Sequence, residues 1–185
     1  MRATIEVITK LAERGIIRRY AIAGAVAALN YIQPTLTEDL DILISVADFE
    51  NRASGLILLT PIEQALEAMG YTERTSVGHM IEGWPVQFLP VASALDEEAL
   101  DQAVELDINE SGTPPLKARC LRAEHLVAIA LKVGRLKDLA RIQAFLDQEA
   151  VDLPALKNVI ERHHLLAAWK DFCTKAGIKD LLGIL

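Results

Sequence analysis

Apolar positions Ile5, Ile8, Leu11 and Ala12 recur at helical spacing, with Glu6, Lys10 and Glu13 off the stripe, which predicts a helix over residues 3–14 ended by Gly15. Residues 19–23, RYAIA, read as a short strand, and the alanine-rich segment AVAALNY after Gly24 favours a helix. Past the turn-prone Gln33-Pro34, the leucine and isoleucine content of TEDLDILIS marks a buried strand over 40–44. Thr60-Pro61-Ile62-Glu63 offers a capping-box pair and a proline at the first helical position, so a helix is expected from Pro61 to near Gly70. Residues 75–81 and 84–91 read as strands joined by a hairpin turn at Glu82-Gly83.

From Ala94 the pattern turns helical. A short extended piece at Pro114-Pro115-Leu116 interrupts it, and proline's missing amide proton assigns that piece to an edge or a loop. Segments 121–133, 135–146, 153–163 and 165–176 are apolar-periodic, with Gly134 and Gly177 as stops. The fold class expected is α/β (α+β), with a small mixed sheet in a core over 1–93 and a mainly helical region over 94–185 packed on it.

A chain of 185 residues, 51% hydrophobic and 24% charged, can bury one substantial core. No run approaches the roughly 20 apolar residues that span a bilayer. The amphipathic start lacks the features of a signal peptide, so no membrane partner and a cytoplasmic location are expected. Cys120 and Cys173 stand far apart without ligand-spaced neighbours, and so read as buried thiols rather than a disulfide or zinc site. A net charge of −7 and 5% aromatic content argue against sequence-independent nucleic-acid binding, leaving only a local basic groove open.

The chemistry centres on Asp39 and Asp41. Two positions apart on a strand, they project to one face, and two like charges held together call for a cation or hydrogen-bond donors. A hard divalent ion suits such oxygens. The bland alternative is a turn-capping Asp39 and an ordinary ion pair at Asp41. Gly24 stands where a strand hands over to a helix, a place that receives phosphates but that also suits a tight turn. Neither a Rossmann nor a P-loop glycine pattern is present.

Together these features form the run AIAGAVAALNYIQPTLTEDLDILI, which resembles the opening motif of the nucleotidyltransferase fold and is most similar to its AbiEii-type abortive-infection and toxin-antitoxin branch. The resemblance continues through WPVQFLPV and EHLVAIALKVGRLKDLARI, ending near Asp152. It implies a sheet of nucleotidyltransferase type. Asp39 and Asp41 would be its catalytic, metal-holding acids, with Mg2+ or Mn2+ as the ion and a nucleoside triphosphate as substrate. Nucleotide contacts would come from Gly24, Ala25, Lys132 and Asp138, with Thr37 and Arg135 added. The acceptor would be RNA, protein or a small molecule, and an antitoxin-like protein would be a partner.

Three positions depart from the family pattern. Ala25 replaces the second glycine or serine of the turn, and Thr35 stands in place of an arginine. Gln87 occupies the place of a third acid, where an amide can offer a metal one oxygen but cannot act as a carboxylate base. The alternative is therefore a catalytically inactive nucleotide-binding or protein-interaction module on the same fold. An acidic chain would also suit a cationic acceptor, as in antibiotic nucleotidyltransferases. Arg135, Asp138 and Arg141, spaced by three, equally read as surface ion pairs alongside Lys132 and Lys137.

Overall fold

A computed structural model of the chain describes residues 1–33, 37–51, 56–108 and 114–185. Thr35 lies outside the described residues. Helix α1 (Arg2–Glu13) buries Ile5, Ile8 and Leu11, the stripe that the spacing marks. Strand β1 (Tyr20–Ile22), the short helix α2 (Gly24–Ala28) and strand β2 (Leu40–Ile44) follow, with a 3-10 turn at Val46–Asp48 and a separate two-stranded ribbon of β3 (Glu50–Asn51) and β4 (Leu56–Ile57). Next come α3 (Thr60–Ala68), β5 (His79–Ile81) and β6 (Trp84–Pro90). The β5–β6 hairpin turns at Glu82 and Gly83, with φ of 52° and 77°, the two left-handed residues of a tight hairpin. At α3 the expected capping box is not made. The cap position is Leu59, and Glu63 pairs instead with Arg74 at 3.0 Å.

The sheet has six strands in the order β5-β6-β2-β1-β8-β7, parallel at β6/β2 and β1/β8 and antiparallel elsewhere, so the fold is a mixed α/β one. Its last two members correct the expectation of helices interrupted by an edge or loop piece near residue 115. Strand β7 (Val104–Ile108) is the edge, and β8 (Leu116–Cys120) is an inner strand between β1 and β7. The prolines stop just short of it, so every strand amide can donate. The sheet thus draws strands from both sides of residue 93.

Helices α4 (Ala94–Asp101), α5 (Ala123–Val133), α6 (Leu136–Asp147), α7 (Leu153–Arg162) and α8 (Leu166–Ala176) complete the chain. Gly134 and Gly177 end α5 and α8 in left-handed conformations. Trp169 and Phe172 of α8 are buried together, ring centroids 5.6 Å apart. Cys120 and Cys173 are buried free thiols.

One carboxylate fastens α4 to two other helices. Glu98 accepts hydrogen bonds from Arg162 Nε and Nη2 at 2.8 and 2.7 Å, and lies 2.8 Å from His163 Nε2 and 3.2 Å from His125 Nε2. Burial pushes this carboxyl up, but the bonds from Arg162, His163 and His125 outweigh it and hold it down to about 2. A carboxyl lowered by folding stabilises the fold above its ordinary value of 4.5, and that contribution is lost as pH falls towards 2. Glu98→Gln is therefore expected to lower the melting temperature at pH 7 and to flatten the loss of stability over that acid range. Thermal melts across pH check it, and parallel curves for the two proteins would refute it.

Candidate active site

The site forms where β1, α2 and β2 meet. Ala23 N donates to Asp41 O at 2.9 Å, pinning the turn after β1 against the start of β2. Gly24 has φ +60°, and a β-carbon added there would stand 2.1 Å from Asp41 Oδ2. Glycine alone meets both demands. The Asp41 carboxylate occupies the space that a side chain at position 24 would need.

Asp39 precedes β2 and Asp41 is its second residue; both line a cavity of about 550 Å³. Gly24, Ala25, Thr37, Arg135 and Asp138 line the same cavity. Thr37 Oγ1 donates to Asp39 O at 3.0 Å, shaping the approach to the strand. The opposite wall comes from α6, which contributes Lys137 and Arg141 as well. Burial raises the Asp41 carboxyl above its ordinary value, and the charge of Asp39 adds to that, while Lys137, Arg141 and Arg135 pull it back. Two acids thus face three cations across one cleft.

Asp138 is only 2% exposed, so it is not the surface residue of an ordinary ion pair. It accepts from Arg135 Nε at 2.7 Å and Nη2 at 3.3 Å, and lies 3.6 Å from Arg141 Nη1. The ion pairs read from the spacing are present, and their buried carboxylate aims two guanidinium groups at the cleft. Arg135 is raised chiefly by its bond to Asp138; burial opposes this, and the fields of Asp138, Asp41 and Asp39 add to the rise.

Two of the nominated residues stand apart from the cavity lining. Lys132 donates to Ser93 Oγ at 2.7 Å and lies 3.9 Å from Asp96, at the far end of the cavity rather than among the cations of α6. Gln87 is directly opposite Asp41 in the β2/β6 register, on the same face of the sheet, and half-buried. Lys137 and Arg141 were legible only as members of a charged helix. Their spacing of four from each other, on the helix of Asp138, is the signal that puts both on one side.

Among the described residues no cluster of three or more His, Cys, Asp or Glu side chains is placed to hold a metal ion. Mg2+, however, commonly takes one or two carboxylates and completes its shell with water and substrate phosphates. Asp39 and Asp41, which both line the cavity, are of the type and number that suit an ion arriving with its nucleotide, while Gln87 stays outside the lining. Among the described residues no helix is long and apolar enough to cross a membrane.

No protein-family model matches the chain, and no curated protein matches it. Among solved structures it is similar to the antibiotic-resistance factor ANT(2'')-Ia. A solution structure of that protein is 14% identical with a TM-score of 0.49, covering 94% of this chain and 96% of that one. A crystal structure of ANT(2'')-Ia in complex with adenylyl-2''-tobramycin is 14% identical with a TM-score of 0.44, covering 93% and 98%.

Proposed function

We propose that this protein is a metal-dependent nucleotidyltransferase, moving a nucleotide from a nucleoside triphosphate to an acceptor. The observation that carries the reading is the single cavity in which the Asp39 and Asp41 pair faces Gly24 and the cations Arg135, Lys137 and Arg141. A bound Mg2+ or Mn2+, held by Asp39 and Asp41, would neutralise charge on the transferring phosphoryl group. The protein's own part is positioning. Gly24 leaves room for the Asp41 carboxylate against the turn, and Arg135, Lys137 and Arg141 attract a polyanion into the cleft. Asp138 fixes two of those cations in place. The AbiEii-type, toxin-like reading with an antitoxin-like partner rests on the sequence resemblance alone.

A second reading, a nucleotide-binding module without catalysis, is favoured by one observation, the amide of Gln87 opposite Asp41. Gln87→Asp is expected to tighten Mg2+-dependent nucleotide binding by restoring a charged oxygen ligand, as measured by equilibrium dialysis of radiolabelled ATP. Weaker binding in that variant would mean that position 87 faces away from the ion. The deciding experiment incubates the protein with each labelled nucleoside triphosphate and Mg2+, together with RNA, protein and small-molecule acceptors. Transfer supports the first reading, binding without transfer the second, and absence of Mg2+-dependent binding refutes both.

A further inference from the structure

The cavity does not end at the acids. Along the cavity face of the sheet, Leu43 follows Asp41 on β2 and its register partner Leu89 follows Gln87 on β6, so polar chemistry gives way to an apolar floor within one strand repeat. Above that floor α5 presents Leu126, Ile129, Ala130 and Val133, which are spaced i, i+3, i+4 and i+7 and share one face of the helix. An apolar helix face of this kind normally packs into a core. Here Leu126 and Ala130 are buried in the core, and Ile129 and Val133 keep exposed surface at the cavity.

The far end of this trough is Asp96, and one oxygen of its carboxylate, Oδ2, is already taken. It accepts from Ser93 Oγ at 2.7 Å and Ala92 N at 3.2 Å, with Lys132 Nζ 3.9 Å away. Asp138, at the other end, is saturated by Arg135 and Arg141. A polycationic acceptor would need free acids along its length, whereas Glu38, Asp39 and Asp41 are gathered at one end and the stretch along α5 offers hydrocarbon. The overall charge of −7, which by itself suits a cationic acceptor, is therefore not carried along this stretch of the cavity.

The geometry points to an acceptor that is a small, uncharged hydroxyl compound with an apolar body, lying against α5 with its hydroxyl towards Asp41. This assignment rests on the nucleotidyltransferase reading. The acceptor's hydroxyl oxygen bonds to the α-phosphorus of the nucleoside triphosphate, and the bond from that phosphorus to the bridging oxygen of the β-phosphate breaks. Its electron pair leaves with pyrophosphate, and the hydroxyl proton passes to solvent. The body of the acceptor gains by leaving water, and the half-exposed Val133 in the cavity lining gives it apolar surface to cover.

The test uses the whole protein with ATP and Mg2+ present. Binding of 2-naphthol is followed by its fluorescence, binding of tobramycin by calorimetry, and ATP binding by equilibrium dialysis. We expect 2-naphthol to bind beside ATP and more tightly than tobramycin, and to weaken at least about fivefold in both Ile129→Lys and Val133→Lys while ATP binding is unchanged. Val133 is 49% exposed, so its variant folds even if the other does not. Displacement of 2-naphthol by ATP, which would give the trough to the nucleobase, overturns the proposal. So does tighter binding of tobramycin, or indifference of 2-naphthol to Val133→Lys. Absence of ATP binding would instead remove the transfer reading and the acceptor role with it, whereas loss of 2-naphthol binding beside intact ATP binding removes this assignment alone.

Discussion

Asp41→Asn is expected to reduce nucleotidyl transfer by more than about 100-fold, beyond what loss of a metal's outer partners costs, while leaving the fold at least as stable as before. The two effects have one origin. Burial and the neighbouring Asp39 raise the Asp41 carboxyl in the folded chain. A carboxyl raised by folding lends stability that is fully present below its ordinary value of 3.8 and is lost as pH climbs through the raised one. At neutral pH the ionised group is therefore a net cost to the fold, and asparagine removes that cost without changing the shape. The variant should melt at the same or a higher temperature at pH 7, with the gap closing below about pH 3.8. Retention of more than about a tenth of the transfer rate, or a lower melting temperature at neutral pH, would show that Asp41 holds the structure together rather than a metal.

Gly24→Ala should have the largest combined effect. The left-handed backbone costs a residue with a side chain about 1–3 kcal/mol, and the added carbon meets the Asp41 carboxylate at 2.1 Å, so Asp41 or the turn must move. For a chain of this size each kcal/mol is worth roughly 2–4 °C, and a fall of at least about 4 °C is expected together with loss of Mg2+-dependent ATP binding. Combining it with Asp41→Ala separates the two terms. The clash with the carboxylate disappears in the double variant, leaving only a 3.2 Å contact with the β-carbon at 41, while the backbone cost stays, so the stability losses should be strongly non-additive. Additive losses would mean that the glycine is required for its φ alone.

Local pattern made much of the fold readable. The stripe of α1, the buried run of β2 and the glycine stops after α5 and α8 each follow from contacts between near neighbours in the chain. The missed strands β7 and β8 carried an equally plain signal. VELDI and LKARC alternate apolar and charged residues with period two, but the second begins immediately after two prolines, which cannot donate to a ladder. Their outward charges pair across the ladder, Lys117 with Glu105 at 2.8 Å. The capping box of α3 failed for another reason: the helix starts at Thr60 with Leu59 as its cap, and Glu63 pairs with Arg74.

The site was half legible. The spacing of D-x-D points to two neighbouring carboxylates, although only Asp41 is on the strand and Asp39 reaches the same cavity from the residue before it, and Gly24 does have an unusual backbone. Lys137 and Arg141 could not be assigned from spacing, because a charged helix reads the same whether it faces solvent or a cleft. The apolar face of α5 has the same ambiguity. Its period is that of any core helix, and only the space left between it and the β2/β6 floor makes it a wall.

Strand β1 is three residues long and fully buried, and its two neighbours come from different parts of the chain, β2 soon after it and β8 about a hundred residues later, with Ile22 opposite Cys120. A fragment stopped at residue 93 would therefore leave one side of β1 as a bare, apolar row of unpaired amides and carbonyls at the centre of the molecule. Such an edge invites pairing with another copy. The first half made alone should aggregate, and in the full chain the middle of the sheet can close only after residue 120 has been synthesised.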